Sequence, residues 1–125
     1  MVRLSSALAI TLVAALAATA SARAQNVDDG KKAFRQVCGA CHATTAGKTY
    51  VGPSLFGVVG RKSGSLADYQ FSDGMRAANL TWTDATLDRY VAEPRGVVPG
   101  TKMTYGGMKD AQKRGDLIAY LNSLK

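Results

Sequence analysis

"QVCGACHATT", residues 36–45, contains both cysteines and the single histidine of a 125-residue chain. Two thiols three positions apart, with an imidazole directly after them, admit several chemistries. A disulfide within Cys-x-x-Cys closes too small a loop to restrict the unfolded chain by much. A thioredoxin-like redox pair wants a βαβ setting, and the flanking sequence offers none. A structural zinc ion takes four ligands; two thiolates and one imidazole leave it one short unless a carboxylate joins. Covalent haem uses every residue. Cys38 and Cys41 lie on one side of a helical turn, where both can add to vinyl groups of one porphyrin, and His42 follows as the proximal iron ligand.

The chain opens with features of export. Met1-Val2-Arg3 is a positive start, Leu8 to Ala18 is apolar except for Thr11, and Ala22-Arg23-Ala24 is a small-x-small cleavage site. That apolar run is too short for a comfortable membrane span. Residues 1–24 are expected to be a secretory signal peptide and residues 25–125 one domain, localised to a bacterial periplasm. Ala20-Ser21-Ala22 repeats the pattern, so cleavage after Ala22 is the alternative.

Loss of Arg3 and Arg23 takes 16 basic residues to 14 against 9 acidic ones, a formal +5. Such a surface suits acidic partners. The basic residues are dispersed and no recognition motif is present, which argues against nucleic acid. A domain this small builds a modest apolar core, so a cofactor that adds to it is in keeping.

Periodicity predicts helices and long loops. Asp28 or Asp29 caps a first helix to about His42, with Ala33, Phe34, Val37 and Cys38 on one face. Residues 44–70 read as irregular loop, followed by a short helix after Ser72, around Asp73 to Ala78. Thr83 caps the next helix, with Leu87, Tyr90 and Val91 inward and Pro94 just past its end. Residues 94–107 read as extended loop. The last helix covers about Asp110 to Leu124, with Leu117, Ile118, Leu121 and Leu124 spaced for burial. The class is all-α, with about four to five helices.

A haem iron held by His42 needs a sixth ligand or an open site. No second histidine exists. Met103 lies in "PGTKM", a loop about sixty residues beyond His42, far enough to reach the opposite haem face. Met108 adjoins the last helix and reads as core, and Met75 falls in the short middle helix on the pocket wall.

Further stretches match a known family: "GKKAF" (30–34) through "CGACH" (38–42), "GPSLFGVVGRKSG" (52–64), "FSDGMRAANLTW" (71–82), "YVAEPRGVVPGTKM" (90–103) and "DLIAYL" (116–121). The chain resembles the class I cytochromes c, mitochondrial cytochrome c and bacterial cytochrome c2 among them. The resemblance implies one covalent haem c in a helical crevice, with Gly30 and Phe34 meeting Leu117 and Tyr120 where the first and last helices cross. It implies Cys38 and Cys41 as thioethers, His42 and Met103 as axial ligands, and the Pro53 carbonyl on the free ring nitrogen of His42. Tyr90 and Thr101 would support the methionine side, and Trp82, Arg61 and Tyr69 the propionate side. Two departures stand out. Phe71 occupies the place of a propionate-bonding tyrosine, and Met75 that of a common asparagine.

With both axial positions filled by protein, small oxidants have no site on the iron, and His/Met ligation raises its potential. The resemblance thus implies a non-enzymatic, monomeric, soluble periplasmic electron carrier. It would accept from a quinol-cytochrome c reductase and deliver to an oxidase or photosynthetic reaction centre. Lys32, Lys48, Arg95, Lys102 and Lys109 match the family's docking cations for acidic partner surfaces; Gly96 and Asp110 do not. A haem peroxidase or gas-binding protein is the enzymatic alternative, and a subunit held permanently in a larger complex is another.

Overall fold

Asn26 opens the first helix. The computed structural model describes residues 23–125; of the expected signal peptide, residues 1–22 lie outside the described residues. The Asn26 side chain accepts from the Asp28 and Asp29 N–H groups at 2.9 and 3.1 Å. The cap is thus upstream of the two aspartates expected to supply it, and these sit in the first turn, where negative charge suits the helix dipole. Helix α1 covers Val27–Ala33 and runs on into one π turn, Phe34–Cys38, closed by the Gly39 N–H on the Phe34 carbonyl at 2.8 Å. Such wider turns re-aim side chains, often at functional sites. The helix expected to reach His42 ends at Cys38, just where the cysteines must turn toward one another.

Four further helices follow. Ser72 caps α2 (Asp73–Ala77) by accepting from the Met75 N–H at 3.1 Å. Thr83 and Thr86 cap α3 (Asp84–Ala92) reciprocally, each hydroxyl taking the other's backbone N–H. Pro94 does more than end α3: it begins α4 (Pro94–Val97), a turn in the stretch expected to be extended. Proline's fixed φ and missing N–H suit a first helical position. Asp110 caps α5 (Ala111–Asn122) through the Lys113 N–H at 3.0 Å. Among the described residues there is no strand, only one antiparallel bridge between Lys62 and Thr81.

The two ends of the domain are bound together by the crossing of α1 and α5. Gly30 touches the α5 backbone: a Cβ there would lie 1.9 Å from the Asp116 carbonyl oxygen and 2.9 Å from the Tyr120 Cβ. Phe34 packs on Tyr120 with ring centroids 5.5 Å apart, as the crossing requires. Leu117, Ile118 and Leu121 are buried beneath. The buried Asp116 carboxylate takes the Asn26 N–H at 2.8 Å and the Gln112 amide at 3.0 Å, and also the guanidinium of Arg23, a residue of the expected leader, at 2.7 Å. α3 is tied to α5 by Asp88 and Arg114, 2.8 Å apart. Most of the remaining chain, residues 43–72 and 98–110, passes as long loops around a cavity.

Candidate cofactor site

The Cys38 carbonyl accepts from both the Cys41 and His42 N–H groups, at 3.1 and 3.0 Å. This turn brings the two free thiols and the imidazole to one wall of the cavity. Burial, with Cys41 as the lesser cause, pushes the Cys38 thiol up to about 11. The His42 Nδ1 lies 2.7 Å from the Pro53 carbonyl oxygen. A carbonyl can only accept, so Nδ1 carries the proton and Nε2 keeps its lone pair free for a metal. Burial also holds His42 below its ordinary pKa, with the Pro53 bond opposing it, so the neutral, ligating form is favoured. Gly52 makes room for this ring: a Cβ there would lie 2.5 Å from its Cε1. Gly52 is a site residue not expected from sequence; its one signal there is its place directly before the ring-bonding Pro53.

Met103 lines the same cavity, on the segment after α4. Its N–H donates to the Thr101 hydroxyl at 3.3 Å, and that hydroxyl lies 2.7 Å from the Tyr90 hydroxyl. The pair thus links the methionine segment to α3. Burial raises the Tyr90 pKa, which favours the neutral phenol. Met108 is buried in the core, as its sequence position implied, and Met75 lines the cavity from α2.

Between these faces stand the other expected residues. Trp82 is buried, with its ring 5.0 Å from that of Tyr90; its backbone N–H bonds the Arg61 carbonyl at 2.9 Å, and no described hydrogen bond runs from its indole N–H to a protein acceptor. Arg61 donates to the Ser54 carbonyl at 2.9 Å and to that of Phe56, which fixes its head at the cavity wall. Tyr69 and Phe71 meet edge to face, centroids 4.8 Å apart, and both line the cavity. Cys38, Cys41, His42, Pro53, Arg61, Tyr69, Trp82, Tyr90, Thr101 and Met103 therefore all border one cavity, of about 390 Å³.

The donor set fits a haem. Two thiols stand beside an imidazole with one free nitrogen, and a thioether borders the same space. Aliphatic and aromatic side chains such as Leu55, Val58, Leu87 and Leu117 complete the wall. No cluster of three or more His, Cys, Asp or Glu that could hold a bare metal ion occurs among the described residues, which leaves the zinc alternative unsupported.

The expected docking cations are less free than their spacing suggested. Lys32 pairs with Asp29 at 3.1 Å and Lys109 with Glu93 at 2.9 Å, while Lys102 donates to the Gln70 carbonyl. Lys48 lies over the Tyr50 ring, 5.5 Å from its centroid. Tyr50 and Val51 are exposed, and Val51 adjoins Gly52 on the cavity wall.

Comparison with known proteins gives a consistent picture. The family model described as Cytochrome c matches residues 27–125. A cytochrome c2 iso-2 of Magnetospirillum fulvum is 51% identical over 88 residues, 70% of this chain and 92% of that protein. A cytochrome c2 of Rhodopila globiformis is 46% identical over 97 residues, covering 78% and 92%. The solved structure of cytochrome cH from Methylobacterium extorquens superposes with a TM-score of 0.73 at 46% identity, covering 78% of this chain and 98% of that one.

Proposed function

The chain belongs to the cytochrome c family, whose members are electron carriers with one covalently attached haem c, and on that basis we propose that it is a soluble, monomeric, periplasmic single-electron shuttle. Its leader, residues 1–24, is removed on export. No helix among the described residues is long and apolar enough to cross a membrane. The observation that carries the reading is the meeting of Cys38, Cys41, His42 and Met103 on one largely apolar cavity.

Bound haem supplies an iron that changes charge by one unit. Cys38 and Cys41 would hold the group through thioether bonds, so that it stays with the chain in the periplasm. His42 Nε2 and the Met103 sulfur would ligate its iron, and the Pro53 carbonyl on Nδ1 fixes the ring and would strengthen it as a donor. Two protein ligands would keep substrates off the metal, which suits a carrier rather than an enzyme. Trp82, Arg61 and Tyr69 would hold the propionate side, with Arg61 held by the Ser54 and Phe56 carbonyls. Donors and acceptors are proteins with acidic docking surfaces, such as a quinol-cytochrome c reductase and an oxidase or reaction centre. Carbon monoxide added to the reduced holoprotein tests this: no spectral change at neutral pH is expected. A ready carbonyl complex would mean an open iron and a gas-binding or peroxidatic protein.

A further inference from the structure

One buried carboxylate of the domain is paired with a residue of the leader. The Asp116 side chain is 4% exposed. Its Oδ1 accepts from the Asn26 backbone N–H at 2.8 Å and from the Gln112 amide at 3.0 Å. Its Oδ2 has a single described partner, the Arg23 guanidinium at 2.7 Å. Arg23 also pairs with Asp29 at 3.3 Å, but Asp29 keeps Lys32, at 3.1 Å, when Arg23 is gone. Among the described contacts Asp116 then keeps no cation. A buried carboxylate stripped of its counter-charge is strongly destabilising, so removal of residues 1–24 calls for a replacement.

The cut itself makes one. It leaves Gln25 with a free α-ammonium, one residue from the Asn26 N–H already bound to Asp116 and within about 4 Å of it. The Gln25 side chain lies along α5: a Cβ on Gly115 would stand 3.2 Å from its Nε2 and 3.5 Å from its Cδ. We infer that the α-ammonium of mature Gln25 takes the place of Arg23 on Asp116 Oδ2, and that this pairing keeps the terminus from cyclising. The inference rests on the leader removal proposed above. An N-terminal glutamine closes on itself when its unprotonated amine attacks its own Cδ. An N–Cδ bond forms, the Cδ–Nε2 bond breaks, and the amide nitrogen leaves as ammonia with a proton from the amine. A free α-ammonium loses its proton near pH ~7.7–8.0, and a carboxylate beside it holds that proton to higher pH. Gln25 is exposed, so burial does not protect it. The charged groups described at this terminus are Asp116 from α5 and Asp29 with Lys32 from α1.

The test starts from the intact mass of the holoprotein purified from the periplasm, expected to begin at an open Gln25. Its cyclisation at about pH 7.5 is then followed by mass spectrometry as loss of ammonia. The reaction should run about tenfold slower in the folded holoprotein than in the same chain unfolded in denaturant. Asp116→Asn should remove most of that difference, and Asp29→Asn should leave it. Wild type cyclised with glutaminyl cyclase guards against a variant that folds poorly, because it loses only the ammonium. Its unfolding constant should be about tenfold larger than that of the open form, for loss of one charge-assisted bond. A chain that begins at Arg23, or one already cyclised, overturns the pairing. So do equal cyclisation rates in folded and unfolded protein, a rate unchanged in Asp116→Asn, or equal stability of the open and cyclised forms. Each of these leaves the electron-carrier reading intact. A chain that keeps residues 1–24 overturns the leader removal and the pairing with it.

Discussion

Gly30 lies so close to Asp116 that a Cβ on it would stand 1.9 Å from the Asp116 carbonyl oxygen. Two helix backbones cannot both keep their place if that atom is added, because the obstacle is main chain and not a flexible side chain. Gly30→Ala should therefore separate α1 from α5 and lower stability by about 1–3 kcal/mol, typical of core overpacking, despite alanine's better helix propensity. Denaturant unfolding of the holoprotein measures it. An unchanged or raised midpoint would show that the crossing is looser than this contact requires.

Covalent attachment predicts a stepwise loss. The wild-type chain should keep haem through boiling in denaturant and reductant, detected by its peroxidase stain on a gel. Cys38→Ala and Cys41→Ala should each keep one thioether, with an absorption maximum shifted by the vinyl group left free. The double variant should release its haem entirely. Haem released from the wild type by this treatment would contradict the role of both thiols.

The elements that proved readable in sequence are those in which one residue type does a local job. Ser72, Thr83 and Asp110 were expected at or near helix starts, and each is a cap that accepts a backbone N–H. The π turn at Phe34–Cys38 has no such signature, because one extra residue per turn is decided by how the cysteines must face the cavity. Pro94 was read as a terminator when it begins α4; both uses follow from the same ring. Every expected site residue borders the cavity, since the motifs fix which side chains converge. The bond from Lys102 to Gln70 was illegible for the opposite reason: its acceptor is a carbonyl 32 positions away, which no side chain announces.

A positive rim should be detectable with a small anionic oxidant. Oxidation of the ferrous holoprotein by hexacyanoferrate(III) should slow as salt rises from about 0.01 to 0.1 M, where the screening length falls from about 30 to 10 Å. Lys48 lies over Tyr50, beside the cavity-lining Val51, whereas Lys125 lies beyond α5 and does not line the cavity. Lys48→Glu should slow the reaction several-fold more than Lys125→Glu at low salt. Equal slowing would assign the salt effect to net charge rather than to a patch.

The Asp110 cap carries a pH signature. The Lys113 backbone N–H is the main cause holding its carboxyl below the ordinary 3.8. A carboxyl depressed on folding stabilises above its unfolded pKa, and that contribution fades as pH falls through the folded value. Asp110→Asn keeps a cap acceptor but cannot titrate. Wild type should be the more stable of the two at pH 7, with the gap closing in acid below about 4. A gap that persists to pH 2 would mean that the charge of Asp110 is not the cause.

Gly52 provides the sharpest separation of cofactor attachment from ligand orientation. Its backbone does not demand glycine, because its φ lies outside the left-handed range; the reason for glycine is the His42 ring, whose Cε1 and Nδ1 would stand 2.5 and 2.8 Å from a Cβ. Gly52→Ala must push that ring away or move the loop that carries Pro53, and either motion strains the 2.7 Å contact between Nδ1 and the Pro53 oxygen. The thiols of Cys38 and Cys41 belong to a different turn, so haem content per chain should equal that of wild type. What should change is the imidazole's strength as a ligand, since a carbonyl partner on Nδ1 makes Nε2 more electron-rich. The reduction potential should therefore rise, and global stability should fall by about 1–3 kcal/mol, as for other buried overpacking. Potentiometry and denaturant unfolding read the two effects separately. A variant that loses stability at an unchanged potential would show that the loop moves and the ring does not, and the role assigned to Gly52 in orienting His42 would be withdrawn.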